Sequence, residues 1–171
     1  MNIYRMNEKA ELPTYATPGS ACFDIKVCFK NGDRLKSYNS WNKEQAVAVK
    51  GVSTTPDAFQ LPPGIRVLIP TGLIFDVPEK HVMKLYIRSG TALKKGLVLA
   101  NGVGIIDSDY TLETFIMVVN MTDSLVKIEN GDRIAQGVVE KVIQSKFTET
   151  TKPLEFTDRK GGFGSTDEVL V

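Results

Sequence analysis

The chain has 171 residues, 42% hydrophobic and 24% charged, with a formal net charge of +1. That length provides one domain with a sizeable core rather than two, and the small net charge argues against nucleic acid or an anionic membrane as a partner while leaving room for a small anionic ligand. No apolar run approaches the ~20 residues that span a bilayer and the opening MNIYRMNEKAELP has no apolar signal core, so a cytoplasmic protein is expected.

Short runs rich in β-branched and aromatic residues predict strands over 23–29 (FDIKVCF), 65–70, 72–77, 81–87, 114–119, 125–129 and 134–143. Cys22 and Cys28 share a face of the first run, roughly 20 Å apart at ~3.3 Å per residue. That is too far for a bridge, so two reduced, buried thiols are expected. Residues 30–58 are polar, carry the only tryptophan, and read as a long hairpin or loop insertion. One helical turn is expected in SGTALKKG (89–96), with Ser89 as N-cap and Gly96 as stop. No amphipathic helix of ten or more residues is visible, so the pattern is all-β: an antiparallel sandwich or jelly roll. From Thr148 the chain is polar and then glycine-rich, a composition that orders only when a ligand or neighbour holds it.

The single histidine, His81, removes several chemistries. With two cysteines it supplies too few soft ligands for a zinc site, and it reads as a solvent-facing residue at a strand start rather than a catalytic base. Hydrolysis here should rest on carboxylates and a hard cation. Four segments carry candidate chemistry. RSGTALKKG (88–96) offers helix-start N–H groups, a hydroxyl and three cations to a phosphate; its bland reading is a capped surface turn. NGVGIIDSDYTLE (101–113) places Asp107 and Asp109 two apart before Tyr110, either a water-activating carboxylate beside a sugar platform or an acidic hairpin turn. GDRIAQG (131–137) brings Arg133 and Gln136 within reach of a phosphate or a water, or is a plain turn into a strand. GGFGST (161–166) is a candidate lid with Phe163 as stacking face, or a solvated tail; it lacks the lysine of a Walker A loop.

Taken together and in order, ACFDIKV, RSGTALKKGL, NGVGIIDSDY, GDRIAQGVV and RKGGFGST resemble the five motifs of the trimeric dUTPase family. The resemblance implies a distorted jelly-roll barrel over 1–147, interrupted by the 30–58 insertion, and a C-terminal arm over 148–171. It implies a homotrimer whose active sites are shared between subunits. It also implies Mg²⁺-assisted hydrolysis of dUTP to dUMP and pyrophosphate, which keeps uracil out of DNA and supplies dUMP for dTMP synthesis. Carried over by motif position, Asp107 is the general base that aims water at the α-phosphorus. Asn101, Gly104 and Ile105 read the uracil edge, and Tyr110 lies under the deoxyribose. Arg88, Ser89, Gly90 and Gln136 hold the phosphates. Arg159, Phe163, Gly164 and Ser165 form the lid, and Asp24 acts on Mg²⁺ through water. Three positions depart from the family pattern: Leu112 and Cys22 stand where glycine is usual, and only Lys160 separates Arg159 from the Gly-Gly pair. Two rival readings follow. Glu113 lies near the catalytic glutamate of dCTP deaminase, a relative of the same fold, and a catalytically silent nucleotide-binding module would share most of these residues.

Overall fold

The structure is a computed structural model and describes residues 1–152. In chain order the strands are β1 (Asn2–Arg5), β2 (Thr14–Tyr15), β3 (Phe23–Lys26), β4 (Arg34–Tyr38), β5 (Glu44–Ala48), β6 (Ala58–Leu61), β7 (Arg66–Pro70), β8 (Leu73–Asp76) and β9 (His81–Ile87). One helix, α1 (Ser89–Lys95), follows. Then come β10 (Leu97–Leu99), β11 (Gly104–Ile106), β12 (Phe115–Asn120), β13 (Val126–Glu129) and β14 (Arg133–Lys141). Two five-stranded sheets, ordered β10-β12-β7-β4-β5 and β11-β9-β14-β3-β2, are joined by the pairs β1-β8 and β13-β6. All the ladders are antiparallel. This is the all-β jelly-roll class that the strand pattern predicts.

Period-two alternation decides which side of each sheet is core. In β7, Val67 and Ile69 are buried and lie opposite the buried Val118 and Ile116 of β12. In the second sheet, Phe23 and Ile25 oppose Gly137 and Ala135, which in turn oppose Leu85 and Ile87. Position 137 must be glycine because a Cβ there would sit 2.6 Å from the Phe23 ring. The residues between these, Asp24, Gln136 and Tyr86, form a register row on the opposite, outer face. The Asp24 cluster of the site is built on that outer face.

The insertion is a hairpin, as one of its two sequence readings had it. β4 and β5 pair over five residues, and β4 joins β7 through Ser37↔Val67. Trp41 is exposed in its turn. Two local expectations fail. Cys22 and Cys28 do not share a strand, because the chain leaves its sheet after Lys26: the Val27 N–H donates to the Asp132 carbonyl, and the Cys28 N–H donates to Pro70. Both thiols are free, with only Cys28 fully buried. Ser89 is not the cap of α1. Arg88 holds the cap position in extended conformation without a side-chain cap bond, and Ser89 is the first helical residue. The stop at Gly96 is as expected, in the left-handed region at φ 60°. Among the described residues no helix is long and apolar enough to cross a membrane.

Candidate active site

One cluster gathers where β9 ends and β14 begins. Asp24 is buried on β3, and each of its carboxylate oxygens meets an arginine: Arg88 Nε at 2.7 Å and Arg133 Nη1 at 3.2 Å. Two cations on one carboxylate leave a local excess of positive charge, which suits an anion. Arg133 lies one step beyond the β-bulge that shifts β14 against β3, and the bulge re-aims it towards Asp24. Gln136 lies directly opposite Asp24, and its amide donates to the Ile87 carbonyl at 3.4 Å. Ser89 and Gly90 open α1 beside Arg88 and are exposed; a Cβ at Gly90 would meet nothing within 4 Å. Arg88 and Gln136 therefore stand beside Asp24, with Ser89 and Gly90 next in the chain after Arg88. Arg133 joins them through its ion pair with Asp24, which accords with the phosphate-or-water reading of GDRIAQG rather than the plain turn.

A second cluster lies where β11 pairs with the middle of β9. Asn101, Gly104, Ile105 and Tyr110 line one cleft of about 240 Å³, walled by Leu68, Leu85, Leu99, Phe115 and Met117. Gly104 opposes Leu85 in the β11–β9 ladder, and a Cβ there would fall 2.9 Å from Leu85 Cβ. Only glycine lets β11 lie this close and leaves its backbone groups at the cleft wall. Tyr110 closes a turn through its N–H to the Asp107 carbonyl, and its hydroxyl donates to the Glu113 carbonyl at 2.9 Å.

Asp107 follows β11 directly. It is exposed, and its carboxylate has no hydrogen-bond partner among the described residues. With Ile105, Ser108, Asp109, His81 and Lys84 it lines a wide groove of about 950 Å³. The Lys84 ammonium is held above its ordinary pKa, first by its hydrogen bond to Glu140 and then by that carboxylate's charge, so it is a fixed cation in the groove. His81 stands at the start of β9, half-buried, with Nδ1 2.9 Å from the Glu79 carbonyl.

None of Asp24, Arg88, Ser89, Gly90 or Gln136 lines the cleft or the groove. Lys84 at the groove lies on β9 and Arg88 at the anion cluster is the extended residue just past its end, four residues on and roughly 13 Å away at ~3.3 Å per residue. Glu113 does not line the cleft either; its carboxylate accepts the Gly72 N–H at 2.7 Å. Arg159, Phe163, Gly164 and Ser165 lie outside the described residues.

A family model described as dUTPase matches residues 54–167. The chain belongs to the dUTPase family. It is similar to a deoxyuridine 5'-triphosphate nucleotidohydrolase of Brucella melitensis, 36% identical over 156 residues that cover 91% of this chain and 84% of that protein. Its fold is similar to that of the dUTPase from Streptococcus mutans, with TM-score 0.64 at 27% identity, covering 86% of this chain and 100% of that one. It is also similar to that of a variant dUTPase of Staphylococcus bacteriophage 80alpha solved with dUpNHpp, with TM-score 0.71 at 20% identity over 96% of each chain. The dUTPase match begins at residue 54, just past the β4–β5 hairpin, so the hairpin lies outside it. The cleft walls Leu68, Leu85, Leu99, Phe115 and Met117 went unnoticed in the sequence. They come from four strands, and only the ladder register brings them to one cleft.

Proposed function

We propose that this hydrolase of the dUTPase family cleaves dUTP to dUMP and pyrophosphate, with Asp107 as the base that turns water onto the α-phosphorus. One observation carries the reading. The four residues expected to hold the deoxyuridine share a single cleft, and the Asp107 carboxylate, without a partner among the described residues, follows one residue past its wall. A carboxylate is ionised at neutral pH, so such a group can accept a proton from water without special tuning. Backbone groups of Gly104 and Ile105 and the Asn101 amide suit the edge of uracil; cytosine would leave them mispaired. Tyr110 supplies the flat platform for a sugar lacking its 2′-hydroxyl.

The triphosphate requires the other cluster. Arg88, Ser89, Gly90 and Gln136 offer it cation, hydroxyl, N–H and amide donors. Neither the cleft nor the groove is lined by residues of the Asp24 cluster, so the reading joins the two between chains: a homotrimer in which one subunit holds the nucleoside and a neighbour the phosphates. The arm, with Arg159, Phe163, Gly164 and Ser165, then closes the site, with Phe163 over the base. Magnesium favours hard oxygen donors and keeps its waters. Both oxygens of Asp24 already accept from arginines. That donor set fits an ion chelated by the triphosphate and met through water, rather than one caged by side chains. Bound there, Mg²⁺ would offset the charge that grows on the phosphates. Two free thiols accord with a cytoplasmic setting.

The test is pyrophosphate release from dUTP, dCTP, dTTP and UTP, with and without Mg²⁺. Release from dUTP alone, dependent on Mg²⁺, is expected. Ammonia from dCTP would establish the deaminase instead, and tight dUTP binding without turnover would establish a binding module. The deaminase reading has lost its main support, because the Glu113 carboxylate is engaged with Gly72 and not with the cleft.

A further inference from the structure

Glu113 takes no part in the chemistry assigned above, yet two of its groups are committed. Its carboxylate accepts the Gly72 N–H at 2.7 Å, and its backbone carbonyl accepts the Tyr110 hydroxyl at 2.9 Å. The first bond ends on a corner that has no freedom to move. Gly72 is in the left-handed region at φ 68°, and a Cβ there would come 2.8 Å from that of Ala10. Beside it the buried Thr71 hydroxyl donates to the Thr114 carbonyl at 2.6 Å, and the Thr114 N–H donates to Leu73 at 2.8 Å. The second bond ends on the ring that walls the nucleoside cleft. Between these bonds the chain is lightly held. Thr111 is exposed and Leu112 is 65% exposed.

We infer that Glu113 is a positioning residue for sugar discrimination: by gripping Gly72 it fixes the carbonyl that aims Tyr110, and so sets how closely the platform approaches the 2′ carbon. The inference rests on the proposed function. Rejection of one added hydroxyl depends on a wall that does not yield. A tyrosine whose hydroxyl is anchored to a wandering carbonyl would tilt and admit UTP. The charge of Glu113 has no role in this account, because a neutral amide oxygen can accept the same N–H bond.

The experiment measures kcat/KM for dUTP and for UTP in the wild type, Glu113→Ala, Glu113→Gln, Tyr110→Phe and the Glu113→Ala/Tyr110→Phe pair. Glu113→Ala is expected to lower the dUTP-to-UTP ratio about tenfold, mostly through KM, and Glu113→Gln to stay within about threefold of the wild type. Tyr110→Phe removes the hydroxyl and is expected to lower the ratio similarly, with the pair no worse than either single change, since both act on one bond. An unchanged ratio in Glu113→Ala overturns the inference. So does a Glu113→Gln that fails as badly as Ala, which would mark a proton-transfer role. Should Glu113→Ala not fold, an unchanged ratio in Tyr110→Phe overturns it equally. A wild type that does not hydrolyse dUTP refutes the proposed function itself, and that outcome is read before any variant.

Discussion

Replacing Gly104 by alanine puts one methyl group where the structure has no room, and the consequences can be worked through. The new Cβ would lie 2.9 Å from Leu85 Cβ and 3.2 Å from its Cγ and Cδ1. Carbon atoms settle at about 3.5–4.0 Å, so the β11–β9 pair must open by roughly 0.6 Å or more. Leu85 cannot swing clear: it is 2% exposed and its Cβ is fixed to the strand. Overpacking of this kind costs about 1–3 kcal/mol, a fall in Tm of about 2–12 °C for a domain of this size. The displacement falls on Ile105 and then on Asp107, and misplacement of a catalytic group by that order costs about tenfold to a hundredfold in turnover. The assay is a thermal melt together with pyrophosphate release from dUTP. A second variant, Gly104→Ala with Leu85→Ala, removes the branch that is struck; it is expected to recover most of the turnover while staying less stable than wild type because of the cavity it leaves. A Gly104→Ala protein with native Tm and native turnover would refute the steric argument and the close β11–β9 approach behind it.

Asp107→Asn is expected to leave stability within about 0.5 kcal/mol, because the carboxylate is exposed and unpartnered, while lowering kcat about 10²–10⁴-fold; turnover near normal would remove its assigned role. Hetero-trimers made from Asp107→Asn and Arg88→Ala chains, purified through two different tags after co-expression, are expected under the shared-site reading to regain about a third of wild-type turnover, since a mixed ring has a single junction that joins an intact Asp107 to an intact Arg88; no recovery would mean that each chain builds its own site. Asn120→Ala deletes a fully buried amide that donates to Leu61 and Ser124 and accepts from the Thr122 N–H and hydroxyl, so urea denaturation is expected to show a loss of about 2–4 kcal/mol, and a loss below about 1 would show that the network tolerates a gap.

What was legible beforehand had a period or a chemistry that survives in one dimension. The runs around Ile25, Val67, Leu85, Ile116 and Ile134 were visible as strands because their alternation reports burial directly. The cleft residues Asn101, Gly104, Ile105 and Tyr110 stand out through their resemblance to a dUTPase motif; by residue chemistry alone the same segment also reads as an acidic hairpin turn. The very short strands were not visible: β2, β10 and β11 have two or three residues, too few for any period to register. Nothing in the sequence around Asp24 shows that Arg133 meets it, because the β-bulge ahead of Ala135 brings Arg133 there and no local pattern announces a bulge. Ser89 has the composition of an N-cap, but Arg88 already occupies the cap position, its extended backbone continuing the line of β9. In each case a contact between distant segments overrode a sound local preference.

Under the shared-site reading, activity and assembly are inseparable. Arg88 stands just past the end of β9 and the loop carrying Asp107 lies near its start, and neither the cleft nor the groove is lined by both. Neither cluster is disordered or half-built: Asp24 grips its arginines, and Gly104 seats β11 against Leu85, without any neighbour. On that reading each half is preorganised before it meets the other, which keeps the entropic cost of completing the site small. Under the shared-site reading, dilution below the point of subunit dissociation should therefore lower the number of working sites without changing the KM of those that remain. A KM that rises steadily on dilution, with kcat preserved, would mean that single chains turn over substrate unaided.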